Sequence, residues 1–271
     1  MKISFLKIHG LGNDFVVINE LNKVQVPEKQ KAKFAEKYCN RRFFIGADGI
    51  LFVQKSSKAN IRMRIFNPDG SEAENCVNGL RCVSFAYSLW NQTKPKNFSI
   101  EVAKGIVQVR LLKVSKTNAE VELTYLGKAE VEFEGKIQAH HLNYPFVFVN
   151  VGNPHAVIFT QKPVSELDLE KEGHDIEYSS QFKPARTNTE FVNVVSKTKV
   201  NMRVHERGAC ETQACGSGSI AIVLAGINKN ILTKNKWIEV QQPGGSLFIK
   251  VNETVLLKGP AELVFSGVLD W

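Results

Sequence analysis

Polar and apolar side chains alternate along Lys2-Ile3-Ser4-Phe5-Leu6-Lys7-Ile8, the period of a strand with one face buried. Short alternating or apolar runs predict further strands at 14–19, 61–66, 98–103 and 106–112. The second half of the chain offers the same kind of run at 146–151, 155–160, 190–196, 200–205, 237–242 and 246–251. Two stretches carry a helical pattern instead. Residues 78–90 place Leu80, Val83, Tyr87 and Trp90 on one face, and residues 219–227 are apolar nearly all round. A helix of the second kind has to sit in the middle of its domain. The polar stretch 113–120 reads as a linker, and the tail Glu262–Val268 as a last strand whose place the pattern does not set.

The strands and helices recur because the chain is written twice. Met63-Arg64-Ile65 leads to Cys76 as Met202-Arg203-Val204 leads to Cys215, with the same spacing from methionine to cysteine. Glu72 and Glu211 lie four residues before the cysteines, Gly79 and Gly218 three after. Gly12-Asn13-Asp14-Phe15 matches Gly152-Asn153-Pro154-His155, and Val102-Ala103-Lys104-Gly105 matches Val240-Gln241-Gln242-Pro243-Gly244. Ordered matches at one offset mark an internal duplication. The expected fold is α/β of the α+β type: two pseudo-symmetric domains, each of strands wrapped around a central helix. The domains are expected at 1–117 plus 261–271 and at 118–260.

Composition removes several alternatives. Hydrophobic content of 43% and charged content of 23% describe an ordinary soluble globular chain. No run approaches the roughly 18 apolar residues of a membrane span, and the N-terminus lacks an export pattern, so a cytoplasmic protein is expected. The net charge of +8 invites nucleic acid. Its basic residues are scattered, however, as at Lys96, Lys113 and Lys116, with no nucleic-acid motif, so no nucleic-acid partner is expected. Five cysteines without an export signal argue against a disulfide framework. The spacings Cys76/Cys82 and Cys210/Cys215 are not those of a zinc knuckle, and no metal is expected.

The duplicated cysteines point to proton transfer. Asn75-Cys76-Val77-Asn78-Gly79 and Ala214-Cys215-Gly216-Ser217-Gly218 are polar turns at predicted helix starts. Unpaired N–H groups and the positive end of the helix dipole collect there. Such a place is expected to lower a thiol's pKa and to bind a carboxylate. Inverting a stereocentre by proton transfer requires a base on one face of a carbon and an acid on the other, and two equivalent thiols supply both. Charge that builds on the adjoining carboxylate is stabilised by donors aimed at it. That scheme needs no cofactor, and none is expected.

In these motifs the chain resembles the diaminopimelate epimerases, bacterial enzymes that convert LL- to meso-diaminopimelate for lysine and peptidoglycan. The likeness runs nearly end to end, through His9-Gly10-Leu11-Gly12-Asn13-Asp14-Phe15, Gly46-Ala47-Asp48-Gly49, Asn67-Pro68-Asp69-Gly70, both cysteine motifs, Thr187-Asn188 and Glu206-Arg207-Gly208. The resemblance implies two domains of similar fold with the active site in the cleft between them, and a last strand that returns to the first domain. It implies Cys76 and Cys215 as catalytic thiols. Backbone N–H groups around Val77, Asn78, Gly216 and Ser217 would hold the carboxylate at the reacting centre. Asn13, Asn67, Asn153, Asn188, Glu206 and Arg207 would line the substrate site. Arg207 suits a distal carboxylate and Glu206 an ammonium. His155 either supports the site or is structural; Glu72 and Glu211 either stabilise helix starts or orient the cysteine loops. A homodimer is expected.

Three positions depart from the family's pattern. Val77 follows Cys76 where a glycine is usual, Gly49 stands where a glutamine is common, and Cys210 replaces a glycine. If residue 77 needs a positive φ, valine is costly there. The competing readings are a racemase of another amino acid, such as proline or histidine, and a non-catalytic amino-acid-binding protein.

Overall fold

The computed structural model describes residues 1–74, 76–91, 95–103, 105–125 and 127–271. Asn75 and Lys104, used in the motif and the repeat above, lie outside the described residues. The chain forms two compact units, Met1–Leu126 with Lys258–Trp271, and Gly127–Leu257.

The first unit opens with β1 (Lys2–Gly10) and β2 (Asn13–Glu20), followed by α1 (Lys31–Tyr38), β3 (Gly49–Gln54), β4 (Ile61–Phe66) and the short β5 (Glu72–Ala73). Then come α2 (Val77–Trp90), β6 (Asn97–Val102), β7 (Gly105–Val114) and β8 (Asn118–Tyr125). The second unit holds β9 (Glu130–Ala139), β10 (Leu142–Asn150), β11 (Pro154–Phe159), α3 (Leu169–Glu177), β12 (Asn188–Ser196) and β13 (Lys199–Glu206). It continues with β14 (Cys210–Thr212), α4 (Gly216–Asn228), β15 (Ile238–Gln242) and β16 (Gly245–Val251), before β17 (Val255–Asp270) ends the chain.

Pairing closes the first unit into a barrel. The strands run β1–β2–β3–β4–β6–β7–β8–β17 and back to β1. The β2–β3 and β4–β6 pairs are parallel. Helix α2 fills the barrel, touching β1, β2, β3, β4, β7 and β8. The tail is thus placed: β17 pairs antiparallel with β1, from Lys2 opposite Asp270 to His9 opposite Glu262.

The second unit repeats this order with the same strand senses. β10–β11 is antiparallel, β11–β12 parallel, β12–β13 antiparallel, β13–β15 parallel and β15–β16 antiparallel. β9 pairs with β10 as β17 does with β1, and α4 lies against β9, β10, β11, β12 and β16. Ile220, Ile222 and Val223 of α4 are wholly buried, each burial stabilising by about 1.5–3 kcal/mol. The central strands are apolar on both faces because each is covered twice. Ile3, Val16, Ile18, Ile50 and Phe52 pack on the outside with Phe34 and Tyr38 of α1. Ile158 and Phe191 do so with Leu169 and Ile176 of α3.

Two expectations are corrected. Residues 113–120 are not a linker but the tip of the β7–β8 hairpin, where Ser115 Oγ accepts from the N–H groups of Thr117 and Asn118. A polar turn has the composition of a linker. Helix α2 is not amphipathic with one buried face: its residues from Asn78 to Ala86 are all buried, as a helix inside a barrel requires, while Tyr87 and Trp90 are only partly covered.

Candidate active site

Each cysteine is the N-cap of its unit's inner helix. Cys76 has extended backbone, φ −150°, and its Sγ accepts from the Gly79 N–H at 3.3 Å. Cys215, φ −122°, accepts from Gly218 at 3.4 Å. At the glycines three residues on, an added Cβ would crowd a neighbouring side chain in both places. A Cβ at Gly79 would stand 3.2 Å from Leu51, and one at Gly218 only 2.7 Å from Glu190 Oε1. The first-turn residues Val77, Asn78, Gly216 and Ser217 follow the caps, where helix N–H groups have no helical acceptor. Val77 is the first helical residue, with no positive φ, so the valine carries no backbone penalty.

Around Cys76 the first unit assembles amides. The Leu11-Gly12 turn, with φ of 60° and 89°, delivers Asn13 to the start of β2. Asn13 Oδ1 lies 3.8 Å from Cys76 Sγ and accepts from Asn78 Nδ2 at 3.2 Å. Its Nδ2 donates to Asp48 Oδ2 at 2.7 Å, and the same oxygen accepts from the Asp14 N–H. Asp48 therefore sets which edge of the amide faces the thiol. Asn67 stands at the end of β4, its Nδ2 donating to Ser71 Oγ at 3.0 Å. Arg81, wholly buried on α2, donates to Pro260 O and interacts with Cys76; burial holds its pKa down at about 10.

Around Cys215 the second unit assembles carboxylates. Glu206 accepts from Thr212 Oγ1 and stands near the Cys215 thiol. Burial pushes its pKa above the ordinary carboxylate value, and Glu190 adds to the rise. Burial likewise raises the Cys215 thiol well above its ordinary value, helped by Glu206 and Glu190. This corrects the expectation of a lowered thiol: desolvation and two neighbouring acids outweigh the Gly218 N–H and the Ser217 hydroxyl at 3.5 Å. The Cys215 N–H donates to the buried Gln242 at 2.7 Å.

Asn188 Nδ2 donates to Pro154 O at 2.7 Å, while its Oδ1 accepts from the Arg207 N–H at 3.0 Å. The Arg207 guanidinium is exposed and donates to Ala185 O. Glu177 grips both sides of the Glu206-Arg207 pair, accepting from His205 Nε2 and the Gly208 N–H, each at 3.0 Å. His155 is buried between Glu190, 2.6 Å from Nδ1, and Asn153 Oδ1, 3.1 Å from Nε2. Glu72 and Glu211 each hold an arginine on the neighbouring strand in a forked pair, Arg64 and Arg203, at 2.6–2.8 Å. In this position both brace the hairpin that precedes the cysteine.

Gly49 and Cys210 show what the departures cost. A Cβ at Gly49 would stand 3.0 Å from Phe66 O and 3.5 Å from the Phe15 ring. Cys210 sits at φ 58°, in the left-handed region.

Sequence reasoning passed over Asp48, Arg81 and Glu190. The last had a signal: an acid directly before the apolar pair Phe191-Val192, at the start of a run that reads as a strand.

The chain is similar to known proteins along its length. The family model described as diaminopimelate epimerase matches residues 5–131 and 147–264. The diaminopimelate epimerase of Carboxydothermus hydrogenoformans is 41% identical over 276 residues, covering 98% of either chain. That of Bacillus cytotoxicus is 39% identical over 286 residues, covering 100% of this chain and 98% of its own. Among solved structures, a hydroxyproline epimerase from Agrobacterium vitis matches with TM-score 0.75 at 13% identity, over 99% of this chain and 92% of its own. A Bacillus anthracis phenazine biosynthesis protein of the PhzF family matches with TM-score 0.74 at 16% identity, over the whole of both chains. These two share the fold. With the family model over most of its length and relatives near 40% identity end to end, the chain belongs to the diaminopimelate epimerase family.

Proposed function

We propose that the protein interconverts LL- and meso-diaminopimelate by a two-thiol proton transfer. The observation that carries this reading is the duplicated cap: Cys76 and Cys215, each with Sγ turned onto the N–H of a glycine at the mouth of a buried helix. Full-length relatives that bear the name diaminopimelate epimerase support the substrate.

One sulfur, as thiolate, takes the α-proton while the other delivers a proton to the opposite face. Glu206, the acid near the Cys215 thiol, accepts its proton. Negative charge growing on the α-carboxylate meets the first-turn N–H groups of α2 and α4, around Val77, Asn78, Gly216 and Ser217. Asn13, Asn67, Asn153 and Asn188 supply neutral donors and acceptors, and Arg207 grips the distal carboxylate of a two-headed amino acid. No helix is long and apolar enough to cross a membrane among the described residues. A cytoplasmic location and a homodimer complete the reading. The latter is supported by Val264, Phe265 and Val268, exposed on β17.

The test is proton NMR of the reduced protein with LL-diaminopimelate in deuterated buffer. Loss of the α-proton signal as the meso isomer appears is the expected result. No exchange with diaminopimelate, but exchange with proline or histidine, would move the substrate assignment to another amino acid. Cys76→Ser or Cys215→Ser activity within a few-fold of wild type would defeat the two-thiol mechanism. Because both sulfurs must reach one carbon, mild oxidation is expected to join Cys76 to Cys215 and stop turnover.

A further inference from the structure

The two halves repeat strand for strand, but not at one buried pair of positions. Val17 of β2 stands opposite Leu51 of β3, and the equivalent Val157 of β11 stands opposite Glu190 of β12. A Cβ placed on Gly79 would meet Leu51, and one placed on Gly218 would meet Glu190. Phe15 follows Asn13 by two residues in the first half, and His155 follows Asn153 by two in the second. Thus, where the first unit packs the hydrocarbon pair Phe15 and Leu51, the second holds His155 and Glu190. All four side chains are buried.

A buried carboxylate and imidazole are a poor way to gain stability. Desolvating them offsets their attraction, and well-packed hydrocarbon of similar size serves as well or better. The first unit demonstrates that the fold itself accepts hydrocarbon at these places. The polar pair therefore has another use, and its geometry indicates which. Glu190 Oε1 accepts from His155 Nδ1 at 2.6 Å, with the carboxylate wedged against the first turn of α4. The far edge of the ring, Nε2, meets Asn153 Oδ1 at 3.1 Å. A planar ring held at one edge by a fixed acceptor fixes whatever is bonded to its other edge. The Asn153 amide is then held at the far edge of the ring.

We infer that Glu190 is a positioning residue: through His155 it fixes the Asn153 amide, a substrate-binding group of the second unit. The inference rests on the functional reading for what Asn153 binds, and on distances alone for the chain Glu190–His155–Asn153.

The deciding experiment transplants the first unit's solution into the second, as the double variant Glu190→Leu/His155→Phe. It is expected to fold with a melting temperature close to wild type and to raise KM for diaminopimelate about tenfold, the worth of one hydrogen bond; kcat shifts as well, because Glu190 and His155 act on the titration of Glu206 and Glu190 on that of Cys215. Asn153→Ala alone is expected to raise KM to the same extent. Added to the double variant, it is expected to add nothing, because both act on one contact. A further tenfold loss in the triple variant would overturn the inference. The Asn153 side-chain amide resonances, assigned by their loss in Asn153→Ala, need no substrate. They are expected to be dispersed and slow to exchange in wild type, and to collapse towards free-amide behaviour in the double variant. Glu190→Gln, which keeps the side-chain volume, is the second variant and must move the same resonances in the same direction. Unchanged resonances in both would overturn the inference. Resonances that move in a wild-type protein inert towards diaminopimelate would strike the functional reading alone.

Discussion

Glu206 stands near the Cys215 thiol in the second unit, and burial raises the pKa of each. The carboxyl is therefore a ready acceptor for the thiol's proton, since a base with an ordinary carboxylate pKa would be a weaker one. The corresponding position of the first unit is Asn67, which does not titrate, while the cation Arg81 lies near Cys76. The two thiols are capped alike but stand in opposite electrostatic surroundings.

Glu206→Gln keeps the Thr212 contact and removes the proton acceptor, so kcat should fall by about 10²–10⁴-fold, the usual worth of a positioned base. The pH profile follows from the sign of the shift. Glu206 must be ionised to take the thiol proton, and its pKa is raised above 4.5. The acid limb of kcat is accordingly expected above pH 4.5, activity rising with pH through it. A limb at or below that value would remove Glu206 from the proton path.

Alkylation should separate the five cysteines by exposure and ionisation. Cys210 is exposed and Cys76 half-buried; Cys39, Cys82 and Cys215 are buried. Burial pushes Cys39 up to about 12 and raises Cys82 and Cys215 as well. Iodoacetamide at neutral pH should label Cys210 and Cys76 first, with Cys215 slower and Cys39 and Cys82 untouched until the protein unfolds. Peptide mass mapping over time reads the order, and Cys215 labelled ahead of Cys76 would contradict the electrostatic difference between them.

Much of this was legible in the chain. The repeat located both caps, and the strands at 61–66 and 155–160 are found within a residue. β3 escaped because Ile50-Leu51-Phe52-Val53 is a short apolar run without alternation, buried on both faces. Pattern also could not weigh a helix N-terminus against desolvation. The turn Ala214-Cys215-Gly216 looks solvated in sequence, yet Cys215 ends at 4% exposure beside two acids, which reverses the sign of its shift. The Asp48–Asn13 and Glu190–His155 contacts each join residues 35 apart in sequence, and only the folded strands bring them together.

Cys210 occupies a left-handed backbone position, φ 58°, where a β-carbon is unfavourable. Cys210→Gly is expected to stabilise the protein by about 1 kcal/mol, with activity unchanged, as urea unfolding would show. Stability that falls on this change would mean that the exposed side chain makes a compensating contact.

Acid should loosen the first unit through Asp14. Its carboxylate is bonded to Lys7 at 2.6 Å and Arg41 at 2.5 Å. Burial alone would raise its pKa, but the hydrogen bond from Arg41 and the contacts with Lys7 prevail and hold it at about 2, against 3.8 for a free aspartate. A carboxyl with a depressed folded pKa contributes stability that is present above the unfolded value and is lost as pH falls towards the folded one. The window is therefore pH 4 down to pH 2, and the contribution about 2 kcal/mol. Asp14→Asn should remove that amount at neutral pH, and more, because Lys7 is left buried with one counter-charge fewer. It should also flatten the fall in stability between pH 4 and 2, measured by urea unfolding at each pH. An unaltered acid slope in the variant would assign the acid sensitivity to other carboxyls, with Glu20, lowered by its bond to Lys31, the next to replace.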